Sequence, residues 1–96
     1  MSFDRAHFDH MTGGDAALQA EILDLFRGQA ALWTEALASN DNWRSAAHTI
    51  KGSARGIGFW TLADACAAAE QAAPADLGAA LDRLREALGV ALKEAV

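Results

Sequence analysis

Cysteine and proline each occur once in the 96 residues, and eight basic side chains face thirteen acidic ones, for a net charge of −5. Each scarcity excludes something. A single Cys cannot form an internal disulfide, so nothing argues for export. The opening MSFDRAHFDH lacks the basic and apolar regions of a signal peptide, and a cytoplasmic location is expected. No apolar run approaches the roughly 18–20 residues a membrane span needs. With so few basic residues, phosphate neutralisation is out of reach and nucleic acid is not an expected partner. Charged residues make up only 22%, too few for a disordered polyelectrolyte. What is abundant is alanine, 24 of the 96 residues, within a hydrophobic fraction of 52%. One Pro among so many helix formers points to an all-α chain. The length suits one domain over residues 1–96. Such a domain is too slim to enclose a large substrate, so function is expected on a helix surface.

The punctuation divides the chain into helices. Phe3, Phe8 and Met11 form a short apolar stretch, broken by Thr12-Gly13-Gly14-Asp15, of which Asp15 is a good N-cap. From Ala16 to about Ala38, Leu18, Ile22, Leu25, Phe26, Trp33 and Leu37 recur at helical spacing. Ser39-Asn40-Asp41-Asn42 offers caps for a third helix from Trp43 to about Ile57, with Gly56 and Gly58 as its stop. A fourth runs from Trp60 or Thr61 to Ala73, with Leu62, Cys66 and Ala69 on one stripe. After Pro74, Ala75-Asp76 opens a last helix to about Ala95, with Leu77, Leu81, Leu84, Leu88 and Leu92 on one side. Four substantial helices with short connections predict an antiparallel four-helix bundle preceded by a short N-terminal helix.

Chemistry is concentrated on the third helix. At 100° per residue, Ser45, Lys51, Gly52, Arg55 and Phe59 fall within about 60° of His48. Trp43, Ala46, Ile50, Ala54 and Ile57 form the opposite, core-facing stripe. His48 therefore points outward. Gly52, one turn on, costs the helix about 1 kcal/mol relative to Ala, in a chain that uses Ala freely. It clears the space beside the imidazole so that a partner can reach a ring nitrogen; the plainer alternative is a Gly that lets a neighbouring helix pack closely. Lys51 adds a positive charge on the same face, suited to an approaching anion. An exposed imidazole, a bare patch and an ammonium together suit transient phosphorylation of the ring.

His48-Thr49-Ile50-Lys51-Gly52-Ser53-Ala54-Arg55, followed by Gly58, resembles the signature of histidine-containing phosphotransfer (HPt) domains. The Gly14-Asp15 start of the second helix, the Leu25-Phe26 pair, the acidic cap before Trp43, and Cys66 and Glu70 are similar to the family pattern as well. The resemblance extends from about Phe3 into the final helix. Ile50 and Ile57 stand where Leu is commoner, Ala69 where a larger apolar residue is frequent, and Gly56 is an added glycine. These departures touch packing more than chemistry.

The resemblance implies a phosphorelay protein that accepts a phosphoryl group on His48 Nε2 from a receiver-domain aspartate and passes it to another receiver. Receiver domains or a hybrid histidine kinase are the implied partners. Glu70 would take a hydrogen bond from Nδ1 and select the tautomer; by composition alone it reads as a solvated charge near a helix end. Lys51 would stabilise phosphoryl charge, and Arg55 would extend that role or steer an acidic partner. No nucleotide-binding loop or metal cage is visible in the sequence, so Mg²⁺ is expected from the receiver, with no cofactor of the chain's own. The chain would be a phosphotransferase only in company. A small apolar docking patch drawing on Phe8, Met11, Phe59 or Ala47 is expected around helices two and three.

Other features read more simply. His7 and His10, with Asp4 and Asp9 nearby, lack the further ligands a metal needs. Cys66 belongs to a core stripe, Trp33, Trp43 and Trp60 are expected as core anchors, and Asp24, Glu35, Asp82, Arg83, Arg85 and Glu86 as solvated faces. A start at Met1 without a trailing linker favours a stand-alone protein, and a monomer is the default. The alternative function is a phosphorylation-independent helical adaptor or histidine-kinase inhibitor of the same fold.

Overall fold

The computed structural model describes residues 3–95. Five helices follow in order: α1 (Arg5–Thr12), α2 (Ala16–Leu37), α3 (Trp43–Ile57), α4 (Trp60–Gln71) and α5 (Leu77–Glu94). The all-α bundle with a short N-terminal helix is as the sequence predicts. No helix among these residues is long and apolar enough to cross a membrane.

The boundaries follow from capping chemistry. Asp4 starts α1, its carboxylate accepting from the His7 N–H at 3.0 Å, and Gly13 ends it in the left-handed conformation at φ 64°. Asp15 caps α2 as expected, accepting from the Leu18 N–H at 3.1 Å. Asn42 occupies the cap position of α3, but its side chain makes no cap hydrogen bond. Instead the Ser39 carbonyl accepts from the Trp43 N–H at 3.1 Å. At Ala72 α4 gives way to extended backbone (φ −66°, ψ 141°), two residues before Pro74. Proline disfavours helical geometry in the residue before it, which excludes Ala73 from the helix.

The core is aromatic at one end and alanine-lined along its middle. Phe59 packs on Phe3 and Phe26 at ring-centroid distances of 4.8 and 5.1 Å, and Phe26 meets Trp33 edge-on at 5.5 Å. On α3 and α4, Ala46, Ala47, Ala54, Ala63 and Ala69 are buried, as are Ile50 and Leu62. Small side chains there let the two helix axes approach closely. Each fully buried Phe, Ile or Leu contributes about 1.5–3 kcal/mol of transfer free energy. At the α1–α2 corner the buried Gln19 amide donates to Asp9 Oδ1 and Thr12 Oγ1 at 2.8 and 2.9 Å, so this interior polar group is satisfied.

Several sequence expectations are corrected. Phe59 does not share the His48 face. Helix α3 stops at Ile57, Gly58 turns the chain at φ 107°, and Phe59 is carried into the core. Phe8 and Ala47 are also buried, leaving Met11 as the one expected docking residue on the surface. Trp60 is exposed, with its indole N–H donating to Asp4 Oδ2 at 2.9 Å and its ring against His7. Trp43 is half-buried, packed against the core and stacked under Arg44. Leu18 and Leu25 of the expected apolar stripe face solvent, as does Leu32.

Candidate functional site

Gly58 and Phe59 form the sharp corner that returns α4 antiparallel to α3. His48 and Glu70 each lie eleven positions from Phe59 (59 − 48 and 70 − 59), so the hairpin brings them to the same height. His48 sits midway along α3 with its side chain 73% exposed. Ala47 and Ile50 on either side of it are fully buried and fix the helix face that it leaves.

Glu70 stands in the last turn of α4, its side chain 18% exposed. Oε2 lies 3.4 Å from His48 Nδ1, the long end of hydrogen-bonding distance. Oε1 lies 2.7 Å from the Lys51 ammonium. Lys51, paired this closely, holds the Glu70 carboxyl below its ordinary value; partial burial opposes the shift, and the His48 contact adds to it. A carboxylate is charged at neutral pH and can only accept, so a hydrogen bond here requires the proton on Nδ1. With Nδ1 carrying the proton, the lone pair of a neutral ring is at Nε2.

Of the residues singled out in the sequence, His48, Lys51, Gly52 and Glu70 converge here. Lys51, expected to offer its charge to an approaching anion, has a partner in the chain itself. It is 17% exposed and spends its charge on Glu70. Arg55 is exposed two turns away from His48, and its carbonyl accepts from His7 Nε2 at 3.0 Å. A Cβ on Gly52 would meet no atom within 4 Å, so helix packing does not require that glycine. The same holds for Gly56, and the two leave a bare strip along α3. Beside it runs an apolar groove of about 390 Å³, lined by Met11, Ile22, Leu25, Phe26, Gln29 and Gly56 among others.

Sequence reasoning missed Arg44. One turn before His48, it donates from Nη1 to the Glu70 carbonyl at 2.8 Å and lies over the Trp43 ring, 4.6 Å from its centroid. Its i−4 spacing from His48 was the available signal. Cys66 is buried as expected, and burial pushes its thiol up to about 12. Among the described residues no group of three or more His, Cys, Asp or Glu is placed to hold a metal ion.

A helical bundle that displays an imidazole on a helix face, backed by a carboxylate, has the make-up of a group carrier. The family model of the Hpt domain matches residues 16–94; the chain belongs to that family and is a phosphorelay histidine phosphotransfer protein. It is similar to the histidine phosphotransferase ShpA from Caulobacter crescentus, whose crystal structure superposes with a TM-score of 0.84. The two share 38% identity over 99% of this chain and 88% of that one. No curated protein sequence matches the chain.

Proposed function

We propose that His48 is the phosphoacceptor, reacting through Nε2 with a receiver-domain acyl phosphate. The observation that carries this reading is the pairing of an exposed imidazole with the Glu70 carboxylate at Nδ1. The Nε2 lone pair attacks phosphorus, the P–N bond forms, and the aspartyl carboxylate leaves with the electron pair of the breaking P–O bond. The ring becomes an N-phosphorylated imidazolium that keeps its Nδ1 proton, and Glu70 stabilises the positive charge. Transfer to a second receiver is the reverse of this step with a new carboxylate as nucleophile.

Phosphoryl transfer rests on positioning and charge neutralisation. The chain supplies an oriented nucleophile and open space at Gly52. In this reading Mg²⁺ would come from the receiver and would neutralise phosphoryl charge there. Lys51 lies one turn from the imidazole and exchanges between Glu70 and a phosphoryl oxygen as the group arrives, while Arg55 steers an acidic partner. A receiver domain would dock over exposed Met11 and Leu25 and the groove beside Gly56, with exposed Leu32 further along α2.

Replacement of His48 by Gln tests the assignment. Acceptance of phosphoryl from a phosphorylated receiver should be lost, with the far-UV circular dichroism unchanged. Transfer that survives in the folded variant would refute it.

A further inference from the structure

Helix α4 ends without the usual means of holding its last turn. A helix leaves its final four carbonyls without intrahelical donors. The Glu70 carbonyl is one of these, and Pro74, four residues on, has no N–H to offer it. The C-cap is Ala72 in extended conformation, and the last turn contains no basic residue to complement the negative end of the helix dipole. The last turn is also where Glu70 stands, so the position of its carboxylate depends on how firmly this end is held.

The missing donor and the missing cation both come from α3. Arg44 Nη1 donates to the Glu70 carbonyl at 2.8 Å, while its guanidinium lies over the Trp43 ring, which restricts its freedom. Lys51 holds the carboxylate of the same residue at 2.7 Å. Glu70 is thus gripped from the neighbouring helix at two points, by its main chain one turn before His48 and by its side chain one turn after. Lys51 alone fixes a flexible side chain to a flexible side chain. Arg44 ties down the main-chain carbonyl of the residue from which the carboxylate projects.

We propose that Arg44 is a positioning residue for His48: it caps the last turn of α4 from α3 and so holds the Glu70 carboxylate against Nδ1. This rests on the reading of His48 and Glu70 given above. Arg44 acts through Glu70 and touches no reacting atom.

The test uses four chains: the wild type, Arg44→Ala, Glu70→Ala and the double variant. The ring tautomer of His48 is read from its ¹⁵N shifts, and phosphotransfer is timed against a receiver domain phosphorylated with acetyl phosphate. Arg44→Ala should move the ring population away from the Nδ1–H form in the same direction as Glu70→Ala, and slow transfer by roughly threefold to tenfold. In the Glu70→Ala background it should add nothing, because the group through which it works is gone. A purely structural cap would lower the melting temperature and leave the ring population alone. An unchanged ring population in folded Arg44→Ala, or effects that add fully in the double variant, would overturn the proposal. His48→Gln run in parallel separates the two levels. If that variant still transfers, the phosphoacceptor reading falls, and the ring populations still decide whether Arg44 positions Glu70.

Discussion

The Lys51 ammonium lies 2.7 Å from Glu70 Oε1, and the other oxygen of that carboxylate lies 3.4 Å from His48 Nδ1. One carboxylate thus serves a lysine and a histidine from the same helix. The lysine makes the Glu70 carboxyl more acidic, and in the proposed reading that carboxylate orients the ring. The cation expected to await a phosphoryl group is, in the resting chain, the counter-ion of the residue behind His48.

Removing Lys51 should therefore be felt first at Glu70. In Lys51→Ala the carboxyl loses the largest influence lowering its pKa, so its titration, followed by ¹³C NMR, should move upward towards the ordinary value of 4.5. A Glu70 titration unaltered by the substitution would show that the ion pair does not persist in solution. Transfer from a receiver should slow as well, by roughly tenfold if the lysine reaches the phosphoryl oxygens.

The same shift fixes a pH dependence of stability. Glu70 is more acidic folded than unfolded, so the unfolded chain binds more protons as pH falls below 4.5. The contribution of Glu70 is complete above the unfolded value and is lost as pH drops through the lower folded value. Urea midpoints measured from pH 6 to pH 3 should fall less steeply for Glu70→Gln than for the wild type. Parallel curves would argue against the linkage.

Cys66 offers a check on the core. Burial, followed by the nearby Glu70 charge, pushes its thiol up to about 12, and the thiolate is the reactive species. At pH 8 the native protein should resist a disulfide reagent such as DTNB, and labelling should become rapid only in denaturant. Fast labelling of folded protein would place this part of α4 in frequent local opening.

Much of this was legible in the sequence because helix ends carry their own chemistry. Asp15, Gly13 and Gly58 sit where the caps are needed, and the α3 stripe of Ala46, Ile50, Ala54 and Ile57 is the buried one. Where the reading failed, periodicity was carried beyond its reach. Phe59 was projected onto the His48 face as though the helix continued past Gly58. Periodicity also assigns a side chain to a face without naming its partner on another helix, which is why the Lys51–Glu70 pair and the Arg44 cap were not visible. Leu18 and Leu25, on the expected apolar stripe, and Leu32 are exposed for another reason. Buried alanines fill much of the interior, so leucine is free to face outward.

That outward stripe predicts a separation of docking from folding. Leu25 is 65% exposed, so Leu25→Arg should alter unfolding free energy by no more than about 0.5 kcal/mol. If the receiver docks there, the apparent affinity for it should weaken by about tenfold or more, with little change in the transfer rate at saturating partner. Unimpaired binding would move the docking surface elsewhere.

Two glycines of the same region should respond to Ala in opposite directions. At Gly52 a Cβ meets nothing within 4 Å, and replacing a helical Gly by Ala should stabilise the fold by about 0.5–1 kcal/mol. At Gly58 the backbone has φ 107°, and a Cβ would lie 2.8 Å from the Asp4 carbonyl oxygen. That oxygen is main chain, and the Asp4 N–H is already bonded to the Gly58 carbonyl at 2.8 Å, so neither side yields without breaking the tie to α1. Gly58→Ala should destabilise by about 1–3 kcal/mol. Urea denaturation of the two variants measures both signs. The larger Gly52→Gln should slow phosphotransfer by crowding Nε2 while helicity is kept, and undiminished transfer would remove access to the imidazole as the reason for that glycine.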